Sequence, residues 1–275
     1  MKENITITTS DKRKINFFNS DRFPVIAGPC LVESKELLVQ VATELRRIQN
    51  ILPIDFIFKS SYRKANRTSG TTSSGIGDEN ALSFLSEIKK EFSLPLLTDI
   101  HLPQEAVIAA EVCDILQIPA FLARQTDLLE AAAETGKIIN IKKAQFMSPQ
   151  DMKFAKEKVI RKGNANVLLT ERGTLFGYGD LIVDFRSIEI MKEFGSPIIY
   201  DATHSVQRPS QNGVSGGQRQ FIAPLSRAAM AVGIDGLFIE THPDPAKAMS
   251  DAESQLPLGE LEPLLRSLLQ FRNRI

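Results

Sequence analysis

The stretch Phe58–Thr68, FKSSYRKANRT, carries four cationic side chains within nine residues: Lys59, Arg63, Lys64 and Arg67. Ser60, Ser61, Asn66 and Thr68 add neutral donors. The run follows the apolar segment Ile54–Phe58, which reads as a buried strand. Arg offers planar bidentate contacts to phosphate or carboxylate, and Lys offers a point charge. A solvated basic loop is the ordinary use of such a run. Here the hydroxyls and glycines of 69–75 follow it as a loop beside a site. The stretch therefore predicts binding of a phosphorylated small molecule.

A second constellation holds metal-type ligands. Cys30, His204 and Glu240 combine thiol, imidazole and carboxylate, a set suited to Zn²⁺, Fe²⁺ or Mn²⁺. Asp251 is a possible fourth ligand. Each residue also has a plain structural use: a lone Cys is commonly a small buried hydrophobe. Glu240 and His242 are two apart and share one side of an extended chain, so either could be the ligand. Cys113, in AAEVCDI, reads as core packing.

These residues need elements to bring them together. Eight strand-like runs recur: Val25–Ala27, Ile54–Lys59, Leu96–Asp99, Ile115–Ile118, Ile138–Lys142, Val167–Thr170, Ile198–Asp201 and Gly236–Glu240. Amphipathic helical patterns lie between them. Leu37, Val41, Leu45 and Ile48 share one face; so do Leu85, Ile88 and Phe92, and later Leu261, Leu265 and Leu268. Ile5–Phe18 alternates around SDKRK and predicts an N-terminal β-hairpin. The pattern predicts an α/β fold: a single (β/α)₈ TIM barrel over residues 1–275, with residues 1–20 as a hairpin extension.

In such a barrel the site lies at the C-terminal ends of the strands. Cys30, Lys59, Asp99, His101, Gln117, Lys142, Gln145, Arg172, His204 and Glu240 all follow or end strands, and all three histidines fall among the strand ends. Arg124 comes shortly after the fourth strand. Lys142 could alternatively form a Schiff base, as in barrel aldolases. Structural uses for Arg172, a salt bridge to Glu171 or Asp184, and for Asp99 with His101, mutual pairing, are the plainer options.

Composition narrows the partners. Of 275 residues 43% are hydrophobic, enough for a large core. Lys plus Arg and Asp plus Glu are 33 each, which argues against a nucleic-acid or membrane-surface binder. Two cysteines give no disulfide framework, and no apolar run reaches a membrane span of roughly 20 residues. The expected compartment is the reducing cytoplasm.

Beyond these readings, KANRTS, TDIH, LQIPAFLARQTDLLEA, NIKKAQFMSP, DATHSVQ and IETHPDPAKAMSDAESQLPL closely resemble the 3-deoxy-D-manno-octulosonate 8-phosphate synthases, from about Pro24 to Leu258. The related DAHP synthases share GPC and the E-x-HP stretch but usually carry KPRTS at the first motif. They are the alternative, with erythrose 4-phosphate as substrate. The resemblance implies condensation of phosphoenolpyruvate with D-arabinose 5-phosphate and water. It implies that Lys59, Lys64, Gln117, Lys142, Gln145 and Arg172 hold phosphoenolpyruvate, and that Asn66, Arg67, Thr68 and Arg124 meet the aldose phosphate. Asp99 and His101 join the substrate-binding set. Cys30, His204, Glu240 and Asp251 become the four ligands of a divalent metal, the metal-dependent branch having Cys at position 30. Cys30, Lys64, His204 and Asp251 form the catalytic set, and a homotetramer is implied. Two positions depart from the family's pattern. Thr68 replaces a common Ser, and Arg63 replaces a common Asp, which changes charge beside Lys64.

Overall fold

The computed structural model describes residues 4–18, 20–65, 75–211 and 214–272. Eight parallel strands form the barrel: β1 (Phe23–Gly28), β2 (Ile54–Lys59), β3 (Leu96–Asp99), β4 (Ile115–Ile118), β5 (Ile138–Lys142), β6 (Val167–Glu171), β7 (Ile198–Asp201) and β8 (Gly236–His242). Each pairs with the next, and β8 pairs back to β1, so the sheet closes. Eight helices follow them: α1 (Lys35–Ile51), α2 (Asp78–Phe92), α3 (Glu105–Val112), α4 (Thr126–Glu134), α5 (Met152–Arg161), α6 (Arg186–Lys192), α7 (Ile222–Val232) and α8 (Leu258–Arg272). The predicted (β/α)₈ barrel is what the chain forms.

Side chains alternate along each strand, and this produces two cores. Outward-facing residues such as Val25, Phe56, Leu116 and Leu169 pack under the helices. The face of α1 runs through Leu38, Val41, Leu45 and Ile48, with Leu37 only half-buried at its edge. The oxygen of Ser34 caps this helix by accepting from Leu37 N–H. Inward-facing Ile26, Ile57, Leu97, Ile115, Ile138, Leu168, Ile199 and Phe238 fill the lower barrel. The predicted hairpin, strands Thr6–Thr8 and Lys14–Asn16, adds Ile5, Ile7, Ile15 and Phe17 to that inner cluster and plugs the N-terminal end.

Two residues further along, the same alternation turns polar. Lys59 follows Ile57 inward, Asp99 follows Leu97, and Gln117 follows Ile115. Register sets Asp99 opposite Gln117 and Gln117 opposite Asn140. Their amides chain together: Gln117 donates to Asp99 at 2.6 Å, Asn140 to Gln117 at 2.8 Å and Thr170 to Asn140 at 2.6 Å. Buried polar groups that are fully paired in this way rigidify the platform above them.

Candidate active site

Above that polar layer the barrel opens into a cavity of about 120 Å³ at the C-terminal ends of the strands. Lys64, Lys142 and Arg172 line it as cations. Asp99, Glu240 and Asp251 line it as carboxylates, with His101, Gln145 and His204 between them. The structure thus brings three of the predicted cations, Lys64, Lys142 and Arg172, to the same cavity as the predicted ligand residues His204, Glu240 and Asp251. Cys30, Lys59 and Gln117 support the lining from behind. Each is buried and bonded to a lining residue: Asp251, Glu240 and Asp99 respectively. Arg124 is exposed beyond the short helical turn Ala120–Leu122. Asn66, Arg67 and Thr68 lie outside the described residues.

The ligand cluster is tight. Donor atoms of Cys30, Glu240 and Asp251 all lie within 4.8 Å of one another. Cys30 Sγ stands 2.9 Å from an Asp251 oxygen. His204 Nε2 lies 3.9 Å from Glu240 Oε1. Its Nδ1 faces both Asp201 oxygens, at 2.9 and 3.1 Å. In the neutral tautomer that donates this N–H to Asp201, Nε2 carries the lone pair on the Glu240 side, the usual arrangement behind a metal-bound imidazole, although His204 stands outside the 4.8 Å group formed by the other three. Glu240 Oε2 is buried and, among the described residues, has no hydrogen-bond partner. An orphan carboxylate oxygen beside a thiol, a second carboxylate and a free imidazole nitrogen fits a cation. His242, the alternative to Glu240, instead accepts the Asp244 N–H at Nδ1 and has Nε2 3.7 Å from Glu33.

Charges around the cavity are closely matched. Lys59 Nζ donates to Glu240 Oε1 at 2.5 Å and to the Cys30 carbonyl at 2.9 Å. Burial alone would raise the Glu240 pKa, but Lys59 beside it holds the carboxyl below its ordinary range. Asp251 is treated alike: burial opposes ionisation, and the charge of Lys64 at 3.5 Å, with hydrogen bonds from Cys30 and Ser250, overcomes it. Burial, reinforced by Asp251 and Glu240, pushes the Cys30 thiol well above its usual value. A bound cation would reverse that preference. Lys142 Nζ pairs with Asp201 at 2.7 Å and sits 3.7 Å from the centre of the Phe238 ring.

Several supporting residues were not singled out in the sequence. Asp201 orients His204 and holds Lys142 at once. The carboxylate–imidazole spacing in Asp201-Ala202-Thr203-His204 was the available signal. Gln207 accepts from Arg172 at 3.0 Å and donates to Asp251 at 2.8 Å, so it joins a cavity-lining cation to the metal-type cluster. Nothing local marks Gln207, because both its partners are distant in sequence. Arg172 makes this contact rather than a salt bridge to Glu171, whose oxygens accept from Gly173 N–H and Ser187. Asp99 and His101 likewise have separate partners, Asp99 with Ser61 and Gln117, His101 with Glu105.

A closed (β/α)₈ barrel with cations and metal-type ligands converging at its C-terminal mouth has the layout in which barrel enzymes carry their active sites. The model of the DAHP synthetase I family matches residues 4–275, and the chain belongs to that family. Within it, the chain is 52% identical over 258 residues to a 2-dehydro-3-deoxyphosphooctonate aldolase of Bartonella henselae, covering 94% of this chain and 92% of that one. Proteins of the same name from Agrobacterium fabrum and Brucella anthropi are 50% and 51% identical, covering 98% and 94% of this chain and 96% and 93% of theirs.

Proposed function

We propose that this enzyme condenses phosphoenolpyruvate with D-arabinose 5-phosphate and water to give 3-deoxy-D-manno-octulosonate 8-phosphate and inorganic phosphate. The convergence of Lys64, Lys142 and Arg172 on one cavity with the Cys30, Glu240, Asp251 and His204 group carries the reading. The relatives' name, an aldolase of a phosphorylated eight-carbon 2-keto-3-deoxy acid, supports the octulosonate product over the DAHP alternative.

The chemistry required matches the residues. C3 of the enol forms a bond to the aldehyde carbon while water adds at C2. The C2–O bond to phosphate then breaks, and a proton reaches the former aldehyde oxygen. Two anionic substrates repel each other, and Lys64, Lys142 and Arg172 offset that repulsion inside a partly dry site. Holding both reactants on the rigid strand ends converts a bimolecular encounter into a near-unimolecular one. Gln145 adds a neutral amide beside the cations. With His204 Nε2 given to the metal-type cluster, the Asp251 carboxylate, which has a second oxygen, is the group placed to take a proton from water. A divalent ion, Zn, Fe or Mn, would be held by Cys30, His204, Glu240 and Asp251, and would supply Lewis acidity there. Asn66, Arg67, Thr68 and Arg124 remain assigned to the aldose phosphate by resemblance.

The proposal extends to a cytoplasmic homotetramer of one-domain subunits, with a transferase-type condensation in each. Among the described residues no helix is long and apolar enough to cross a membrane. Val107 and Ile108 stand out of α3 at 65% and 56% exposure and offer an apolar face for a second subunit. The deciding experiment is product analysis with arabinose 5-phosphate and erythrose 4-phosphate, each with and without added divalent ions. Metal-supported octulosonate phosphate formation is expected; a clear preference for erythrose 4-phosphate would replace this reading by DAHP synthesis.

A further inference from the structure

Arg63 is the charged departure beside Lys64, and the simplest expectation is an extra cation for the substrate. Its surroundings argue otherwise. Its guanidinium is ion-paired through Nη2 with Glu105 Oε1, and Nη1 lies 3.3 Å from Asp78. Glu105 and Asp78 are the first residues of α3 and α2, so Arg63 ties the end of β2 to two helix starts. Acidic groups there also suit the helix dipoles.

Glu105 carries more than this one contact. Its Oε2 accepts from the Tyr62 hydroxyl at 2.6 Å and from the His101 N–H at 2.8 Å. The Arg63 guanidinium lies 5.7 Å from the Tyr62 ring centre. One buried carboxylate therefore joins Tyr62 and Arg63 on one side to His101 on the other. Lys64 follows Arg63 directly and lines the cavity, as does His101. Tyr62 N–H also reaches Thr98 Oγ1 at 3.2 Å, which fastens the same segment to β3. Burial opposes ionisation of Glu105, but bonds from His101 and Tyr62 and the charge of Arg63 bring its pKa down to about 2, so the carboxylate stays charged. An Asp at position 63, the common residue by the family resemblance, would set like charge against Glu105. Arg63 and Glu105 are thus a matched pair.

We propose that Tyr62, Arg63 and Glu105 are positioning residues whose clasp fixes Lys64 and His101 on two walls of the cavity and so sets its affinity for phosphoenolpyruvate. The choice of ligand rests on the function proposed above. Arg63 acts through Glu105 and not as a direct ligand of the anion.

The test is a double-mutant cycle on the intact enzyme with R63A, E105Q and the pair, with R63K as the conservative variant. E105Q keeps an acceptor for His101 and Tyr62 while removing the charge. R63A is expected to raise KM for phosphoenolpyruvate about tenfold with kcat within about twofold, a loss of ground-state positioning. R63K should recover part of the loss, and adding R63A to E105Q should change KM little further. Calorimetric titration with phosphoenolpyruvate alone should show the same pattern in Kd. An R63A effect equally large in the E105Q background would show that Arg63 touches the substrate itself and would overturn the proposal. Unchanged KM and Kd in R63A would do the same. If wild type binds phosphoenolpyruvate but does not turn over arabinose 5-phosphate, the function fails while the Kd series still decides the clasp. Wild type that binds no phosphoenolpyruvate overturns both.

Discussion

Lys59 Nζ and Glu240 Oε1 meet at 2.5 Å with both side chains almost wholly removed from water. The contact joins the ends of β2 and β8, across β1, and puts a cation directly behind a ligand-type carboxylate. Removing one member of a buried pair leaves the other charged and unsolvated. Lys59→Met should therefore lower unfolding stability by about 3–5 kcal/mol. Lys59→Met with Glu240→Gln should cost less than the two single changes summed, because no orphan charge remains. Urea unfolding of the four proteins checks this; strict additivity would mean the pair is not energetically coupled.

The Cys30, Glu240 and Asp251 donors, within 4.8 Å of one another, form a cluster whose thiol is strongly disfavoured as a thiolate without a cation. Treatment with a chelator should abolish activity, and adding back Zn, Fe or Mn should restore it. Cys30→Ala should lower bound metal per subunit, measured by elemental analysis of the dialysed protein, while leaving the circular dichroism spectrum intact. Full activity in thoroughly demetallated wild type would refute the metal assignment.

The barrel was legible because parallel strands covered on both faces read as short apolar runs, and six of the eight runs here end in a polar residue. That switch, Ile57 to Lys59 or Phe238 to Glu240 on the inward face, marks where the lower core stops and the site begins. What the sequence hid was the division of labour among the cations. Lys59, Lys64 and Lys142 look alike in one dimension. In the fold Lys59 is spent on Glu240, Lys142 pairs with Asp201, and Lys64 lines the cavity facing Asp251. Arg63 looked like part of the same basic run, yet its partners Glu105 and Asp78 lie on two later helices. Pairings of that kind depend on three-dimensional closure and leave no local pattern.

Glu105 gives a pH signature. Its pKa falls from an ordinary 4.5 to about 2 in the folded protein, against burial, through His101, Tyr62 and Arg63. A depressed carboxylate binds fewer protons folded than unfolded, so its contribution is complete above the unfolded value and fades as pH drops towards the folded one. Wild type should exceed Glu105→Gln in urea midpoint at pH above about 5, and the difference should shrink as pH falls towards about 3. A difference constant across that window would show that Glu105 has no depressed pKa.

Gly28 tests the join between Cys30 and Lys59. A Cβ at this position would stand 2.0 Å from the Lys59 carbonyl oxygen and 3.0 Å from its carbonyl carbon. Both are backbone atoms, so no rotamer change relieves the clash, and the φ of +156° is itself unfavourable for a side chain. Gly28→Ala must push β1 and β2 apart where the carbonyl of Cys30 receives Lys59 Nζ. The expected loss exceeds about 3 kcal/mol of unfolding stability. Because Cys30 and Lys59 shift together, bound metal should fall more than in Glu105→Gln, whose change lies away from the ligand cluster. A Gly28→Ala protein with wild-type melting temperature and metal content would mean that the strand ends can separate freely, and the close approach of β1 to β2 would then have no part in holding Cys30 against Asp251.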